Sequence, residues 1–178
     1  QGPIDPDSEF GWLWQEADQK EAHSLLKNKV FEFVKKLDMT PGSTIMKVKA
    51  VRKVKAFANG LTKLFKTRLV AQGFLQIPGN DYGETYAPTL SYPLLRIILV
   101  WGLQNGVPTH QFDVETAFLL ADLPEDFELY LKLPSFFEVP PGYIPRLRKS
   151  LYGIKQAPRL FSQKFLGSLA DMGFTLIP

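Results

Sequence analysis

Apolar and aromatic residues recur at Trp14, Ala17, Leu25, Leu26, Val30, Phe31 and Val34, a helical spacing that weakens after Asn28. It predicts one amphipathic helix followed by a strand. From Thr44 to Val54 the apolar positions Ile45, Met46, Val48, Val51 and Val54 are interleaved with basic residues. Ala58-Asn59-Gly60 supplies turn chemistry and Lys66 to Phe74 resumes extended structure, which predicts a basic β-hairpin. The segment Ile77 to Gly83 and the run Ala87-Pro88-Thr89 are loops. Ser91 caps a helix with Pro93 in its first turn, running through Leu95, Ile98, Leu99 and Leu103 until Asn105-Gly106 stops it. Thr109 to Val114 is expected as a strand ending on a carboxylate, paired with the short alternating run Leu129 to Leu133. The proline-rich interval Pro134 to Pro145 is expected as a loop. A last helix starts near Pro158 and runs through Phe161, Phe165, Leu166 and Leu169 to Gly173.

Helix, hairpin, helix, strand, hairpin, helix is an α+β order with a mixed or antiparallel sheet and packed helices, not a regular βαβ alternation. A chain of 178 residues with 45% hydrophobic and 22% charged positions can bury a real core. There is no cysteine, so disulfides and thiolate metal sites are excluded, and His23 and His110 alone build no zinc site. That composition fits an intracellular protein of cytoplasm or nucleus. No apolar run approaches the roughly 18 residues a membrane span needs. The opening Gln1-Gly2-Pro3, followed by Asp5 to Phe10, reads as a protease-site and cloning remnant, so residues 1–10 are set apart from the functional reading.

The formal charge is only +3, but Lys47, Lys49, Arg52, Lys53, Lys55, Lys63, Lys66 and Arg68 occupy one interval with no acid among them. Such a block attracts phosphate backbones. The alternative is the solvated face of an ordinary hairpin.

Four blocks stand out. The first is Trp14-Gln15-Glu16-Ala17 with Glu21, Ser24-Leu25 and Asn28. The second is Lys66-Thr67-Arg68-Leu69-Val70-Ala71-Gln72-Gly73-Phe74, followed by Gln76, Gly79, Asp81-Tyr82, Glu84-Thr85 and Ala87-Pro88. The third is Gln111-Phe112-Asp113-Val114-Glu115-Thr116-Ala117-Phe118-Leu119, and the fourth is Lys149-Ser150-Leu151-Tyr152-Gly153-Ile154-Lys155-Gln156-Ala157-Pro158-Arg159. In this order they resemble the reverse transcriptase domain of Ty1/copia-type retrotransposons, an RNA-directed DNA polymerase.

The resemblance implies a right-hand shape, with a fingers-like segment over residues 11–92 that carries the basic hairpin and a partial palm over 93–178. It implies a template-primer of RNA or DNA and a deoxynucleoside triphosphate as partners, with Mg2+ as cofactor. Asp113 matches the first metal-binding aspartate of the palm, and the Val114 carbonyl would be a backbone ligand. Carboxylate oxygens suit this role because two divalent ions must activate the primer hydroxyl and neutralise the triphosphate. Phe118 matches the ring that packs beneath the incoming sugar and excludes a 2′-hydroxyl. Arg68 matches the fingers arginine that grips the triphosphate through two charge-assisted bonds, with Lys66 as a second candidate. Gln156 matches a nucleotide-pocket residue that contacts the sugar, and Arg159 approaches template phosphates. Lys53 and Lys55 would track the backbone. Each has an ordinary alternative: a turn or cap for Asp113, core packing for Phe118, an exposed strand position for Lys66 and Arg68, and an amide serving nearby backbone for Gln156.

The family's second carboxylate element, a Tyr-Val-Asp-Asp hairpin, lies beyond the Gly173-Phe174 pair, and the sequence holds no Asp-Asp pair. The chain is therefore expected to be truncated ahead of that motif and catalytically incomplete alone. Two further departures are the absence of the family's tryptophan from Lys49–Lys55 and Leu120-Ala121 in place of an Asn-Gly turn. A second function class follows: a captured retrotransposon segment serving as a binding or regulatory protein, such as an effector engaging a host protein. Phe112, Val114 and Leu129 would then leave an uncovered palm edge open to a partner or to self-association.

Overall fold

Trp14, Ala17 and Leu25 set the first contact of the fold. In the computed structural model, which describes residues 8, 10–56 and 63–175, α1 (Gly11–Lys27) lays this stripe on a β-hairpin. The Trp14 ring meets Phe65 edge-on at 4.6 Å between centroids. The helix ends where the spacing weakens: the Asn28 side chain donates back to the Ser24 carbonyl at 2.8 Å and Lys29 takes a left-handed backbone. The chain then enters β1 (Phe31–Lys35), the strand expected after the helix.

The basic hairpin is present as β2 (Thr44–Ala56) and β3 (Lys63–Ala71), antiparallel, with Val51 opposite Arg68 and Lys53 opposite Lys66. Its turn at Ala58-Asn59-Gly60 lies outside the described residues, as does most of the opening segment read as a remnant. At thirteen residues β2 is long enough to serve two neighbours. Val48 to Ala56 pair with β3, while Thr44 to Lys47 pair in parallel with β4 (Leu129–Lys132). The last strand, β5 (Tyr143–Leu147), joins β4 to β1, giving one five-stranded mixed sheet in the order β1-β5-β4-β2-β3. With three α-helices the class is α+β. Leu25, Met46, Leu69, Leu129, Leu131, Leu147 and Leu151 are fully buried and form the centre of the core.

Two expected elements differ. Thr109 to Val114 forms no strand, because the partner assigned to it is already taken: β4 has β2 on one side and β5 on the other. The interval Pro134 to Pro145 is not wholly loop, since Tyr143 to Pro145 belong to β5. Pro145 forfeits one donor, which is tolerated in a short strand that meets β4 through the single pair Tyr130–Arg146. The uncovered edge also differs from expectation. Leu129 is fully buried between its neighbours, while Phe112 is 73% exposed, its ring tilted against that of Phe165 at 6.4 Å between centroids.

Both capped helices follow their punctuation. In α2 (Tyr92–Gln104) the Ser91 hydroxyl accepts from the Leu94 N–H at 3.4 Å, Pro93 sits in the first turn, and Gly106 closes the end with positive φ. In α3 (Ala157–Asp171) Pro158 opens the helix, and Phe161 and Phe165 stack along one side. The difference between them is burial. Every large apolar side chain from Leu94 to Leu103 in α2 is exposed, Leu103 to 81%, and only Gly102 is buried. A helix apolar on all sides ordinarily lies within a larger protein mass. Among the described residues no helix is long and apolar enough to cross a membrane.

Candidate nucleic-acid and nucleotide interface

Strand alternation sorts the basic residues of the hairpin. Val51, Lys53 and Lys55 of β2 share a face with Lys66, Arg68 and Val70 of β3, and these six line a shallow hollow of about 120 Å³ with no carboxylate in its wall. Ala50, Arg52, Phe65, Thr67 and Leu69 take the other face, toward α1. Arg52 is thereby removed from the basic surface. Its guanidinium grips Asp18 with two bonds, 2.6 Å from Nη2 and 3.2 Å from Nε, and the Thr67 hydroxyl donates to the same carboxylate at 2.6 Å. Asp18 is buried, so this fork anchors α1 to the sheet. Thr67 carries no signal in the sequence beyond its place in the second block, and Asp18 falls in none of the four blocks.

Arg68 does not stand alone. Its guanidinium lies over the Tyr152 ring, 5.7 Å from the ring centre. The Phe118 ring meets the same tyrosine edge-on at 5.6 Å, and Phe161 of α3 backs Phe118 at 6.1 Å. Residues from the second, third and fourth blocks, distant in sequence, are thus joined through one aromatic side chain that sequence reasoning quoted but gave no role. Glu21 of α1 completes the group, accepting the Leu69 N–H at 3.2 Å. Burial pushes the Glu21 carboxyl above its ordinary value, against the opposing pull of the Leu69 N–H and of Arg68 and Lys66. Burial and the Glu21 charge likewise raise the Tyr152 phenol, and Arg68 works against them.

Gln156 is buried at the start of α3 and both ends of its amide are engaged. It accepts from the Gln76 amide at 2.9 Å and donates to the Asp81 carbonyl at 3.0 Å. The Gln76 oxygen accepts the Lys155 N–H at 2.8 Å, and the Asp81 carboxylate accepts from the Thr44 hydroxyl, the Ile77 N–H and Asn80. This network ties the loop after β3 to the fourth block and to the start of β2. Next to it, Lys155 donates to the Tyr82 hydroxyl at 2.9 Å, and Arg159 forms an ion pair with Glu84 at 2.7 Å.

Asp113 is exposed in the irregular segment that follows α2, and Val114 beside it is half-buried. Thr116 turns the chain with φ of 51°, an uncommon conformation for a β-branched residue, into the 3-10 turn Ala117–Leu120 that carries Phe118. Among the described residues there is no group of three or more His, Cys, Asp or Glu side chains placed to hold a metal ion. Asp113 can offer one hard oxygen ligand.

The profile of the family described as reverse transcriptase (RNA-dependent DNA polymerase) matches residues 28–178. The chain belongs to this family. Its relatives place it among copia-type reverse transcriptase domains. It is 34% identical over 163 residues to the retrovirus-related Pol polyprotein from transposon RE2 of Arabidopsis thaliana, covering 90% of this chain and 11% of that protein. It is 38% identical over 151 residues to the Pol polyprotein from transposon TNT 1-94 of Nicotiana tabacum, covering 84% and 11%. To the transposon Ty1-BL Gag-Pol polyprotein of Saccharomyces cerevisiae it is 32% identical over 142 residues, covering 80% and 8%. No solved structure gives a match. The reverse transcriptase domain described here therefore spans about a tenth of the length of the polyproteins it resembles, and the family assignment drawn from the four blocks stands.

Proposed function

We propose that this chain forms the fingers and part of the palm of a retrotransposon reverse transcriptase, and that the open face of β2 and β3 is its polyanion-binding surface. The observation that carries this reading is the sorting of charge. Lys53, Lys55, Lys66 and Arg68 gather on the exposed face without an acid, while the one arginine between them, Arg52, is turned inward onto Asp18. Arg68 and Lys66 receive the triphosphate of a deoxynucleotide, and Lys53, Lys55 and Arg159 follow the phosphates of an RNA or DNA template-primer. Phe118 shapes the sugar site, and Gln156 supports that site by holding the loop from Gln76 to Tyr82. Asp113, with the Val114 carbonyl, contributes toward Mg2+, and a complete metal site needs carboxylates beyond those described.

Binding of a labelled template-primer should weaken linearly on a logarithmic salt scale. Reversing Lys53 and Lys55 to Glu should lower affinity for all sequences alike and reduce the magnitude of the salt slope by about two. A response indifferent to salt in the parent chain removes the reading.

A second reading, a protein-binding module, is favoured by α2 alone, whose apolar residues lack cover on every side. In that case the chain should self-associate in sedimentation as concentration rises, and Leu103→Glu with Ile97→Glu should restore the monomer. A parent chain that stays monomeric at high concentration counts against self-association.

A further inference from the structure

We infer that Tyr152 is a positioning residue for Arg68, holding the guanidinium fork in the orientation that receives a triphosphate. The inference rests on the nucleotide reading of the basic face and names a residue to which that reading assigns nothing. Arg68 shares its face with Lys66, Lys53 and Lys55, whose like charges push it away from any fixed position. A long arginine side chain on an open strand also has many rotamers, and a ligand that must select one of them binds less tightly.

Tyr152 opposes both effects. Its ring lies under the guanidinium as a cation–π partner, a contact that leaves the five guanidinium N–H donors for phosphate oxygens. The platform is itself fixed. The Ala71 N–H donates to the Tyr152 carbonyl at 2.8 Å, and Gly153 beside it is wedged against the backbone of β3. Phe118 packs edge-on against the ring at 5.6 Å between centroids. The Glu21 carboxylate is held nearby by the Leu69 N–H and adds an attractive charge for Arg68. Thus the arginine that reaches the ligand and the aromatic that shapes the sugar site both rest on one tyrosine.

The test separates orientation from binding. The Nε–H resonance of Arg68, assigned through Arg68→Lys, should show restricted motion by heteronuclear NOE in the parent chain and in Tyr152→Phe, which keeps the ring, and faster motion in Tyr152→Leu. Titration calorimetry with deoxythymidine triphosphate, and with inorganic tripolyphosphate as a sugar-free probe, should show about fivefold weaker binding for Tyr152→Leu. In the Arg68→Lys background the same substitution should change nothing, because the tyrosine acts through the fork. A purely structural role would weaken both backgrounds alike. If Arg68 is equally ordered in Tyr152→Leu, or if the loss persists with Lys at 68, the inference is overturned. If Arg68 is ordered by Tyr152 yet the parent chain binds neither probe, the nucleotide reading falls and the positioning role stands.

Discussion

Gly153→Ala should lower the stability of this chain by about 2–5 kcal/mol. A β-carbon at 153 would sit 2.2 Å from the Ala71 carbonyl oxygen and 2.7 Å from a methyl of Val70, and the residue holds φ of 93°. The two costs have different origins. The left-handed backbone costs a residue with a β-carbon about 1–2 kcal/mol, and forcing a methyl into a filled space adds about 1–3 kcal/mol. The obstructing atom at 2.2 Å is backbone within the hairpin, so it has no rotamer by which to move aside. Against a typical total of about 5–15 kcal/mol, the sum decides whether the fourth block stays docked on β3. Gly142→Ala is the matched control, since Gly142 has φ of 81° with nothing within 4 Å of the added carbon. Urea denaturation should shift modestly for Gly142→Ala and much further for Gly153→Ala. Equal shifts would mean that the close approach of the two segments is not what requires glycine.

That junction also shows how far the sequence could be read. Helices announced by local chemistry were legible: Ser91 with Pro93 marks the start of α2, and Pro158 opens α3. The hairpin was legible because alternation of lysine with apolar residues is a period-2 signal within one short interval. What failed was pairing, which depends on residues far away. The run from Thr109 to Val114 has a strand's composition, yet β4 spends both its edges on β2 and β5, and no local pattern announces a parallel pairing between Thr44–Lys47 and Leu129–Lys132. Pro145 falls in the proline-rich interval expected as a loop, although the five-residue register with β1 accommodates it in a strand. Among site residues, Arg68 and Lys66 were singled out by family likeness and do line one hollow with Lys53 and Lys55. The likeness gave no hint of Tyr152 between Arg68 and Phe118, nor of the Gln76 partner that engages Gln156, since both are contacts between blocks rather than features of any block.

Asp18→Ala should destabilise the chain by about 3–5 kcal/mol, the usual cost of removing one partner from a buried ion pair. The Asp18 side chain is 6% exposed and that of Arg52 14%, so water screens neither effectively. The substitution takes away both arms of the guanidinium fork and the acceptor of the Thr67 hydroxyl at once. Asp18→Asn, which keeps the shape and one acceptor, should cost less. Replacing the pair together, Asp18→Leu with Arg52→Met, should recover much of the loss, because desolvating two charges offsets most of what their attraction contributes. Thermal and urea unfolding of the single and double variants measure the coupling directly, and additive losses would show that the fork is not the unit that matters. The pair has a functional corollary as well. Arg52 lies on the α1 side of β2, opposite the face of Lys53, Lys55, Lys66 and Arg68. At temperatures where both chains are folded, Asp18→Asn should therefore leave the salt slope of template-primer binding unchanged. A steeper slope would place Arg52 among the phosphate contacts and erase the separation of charge by strand face on which the proposed interface depends.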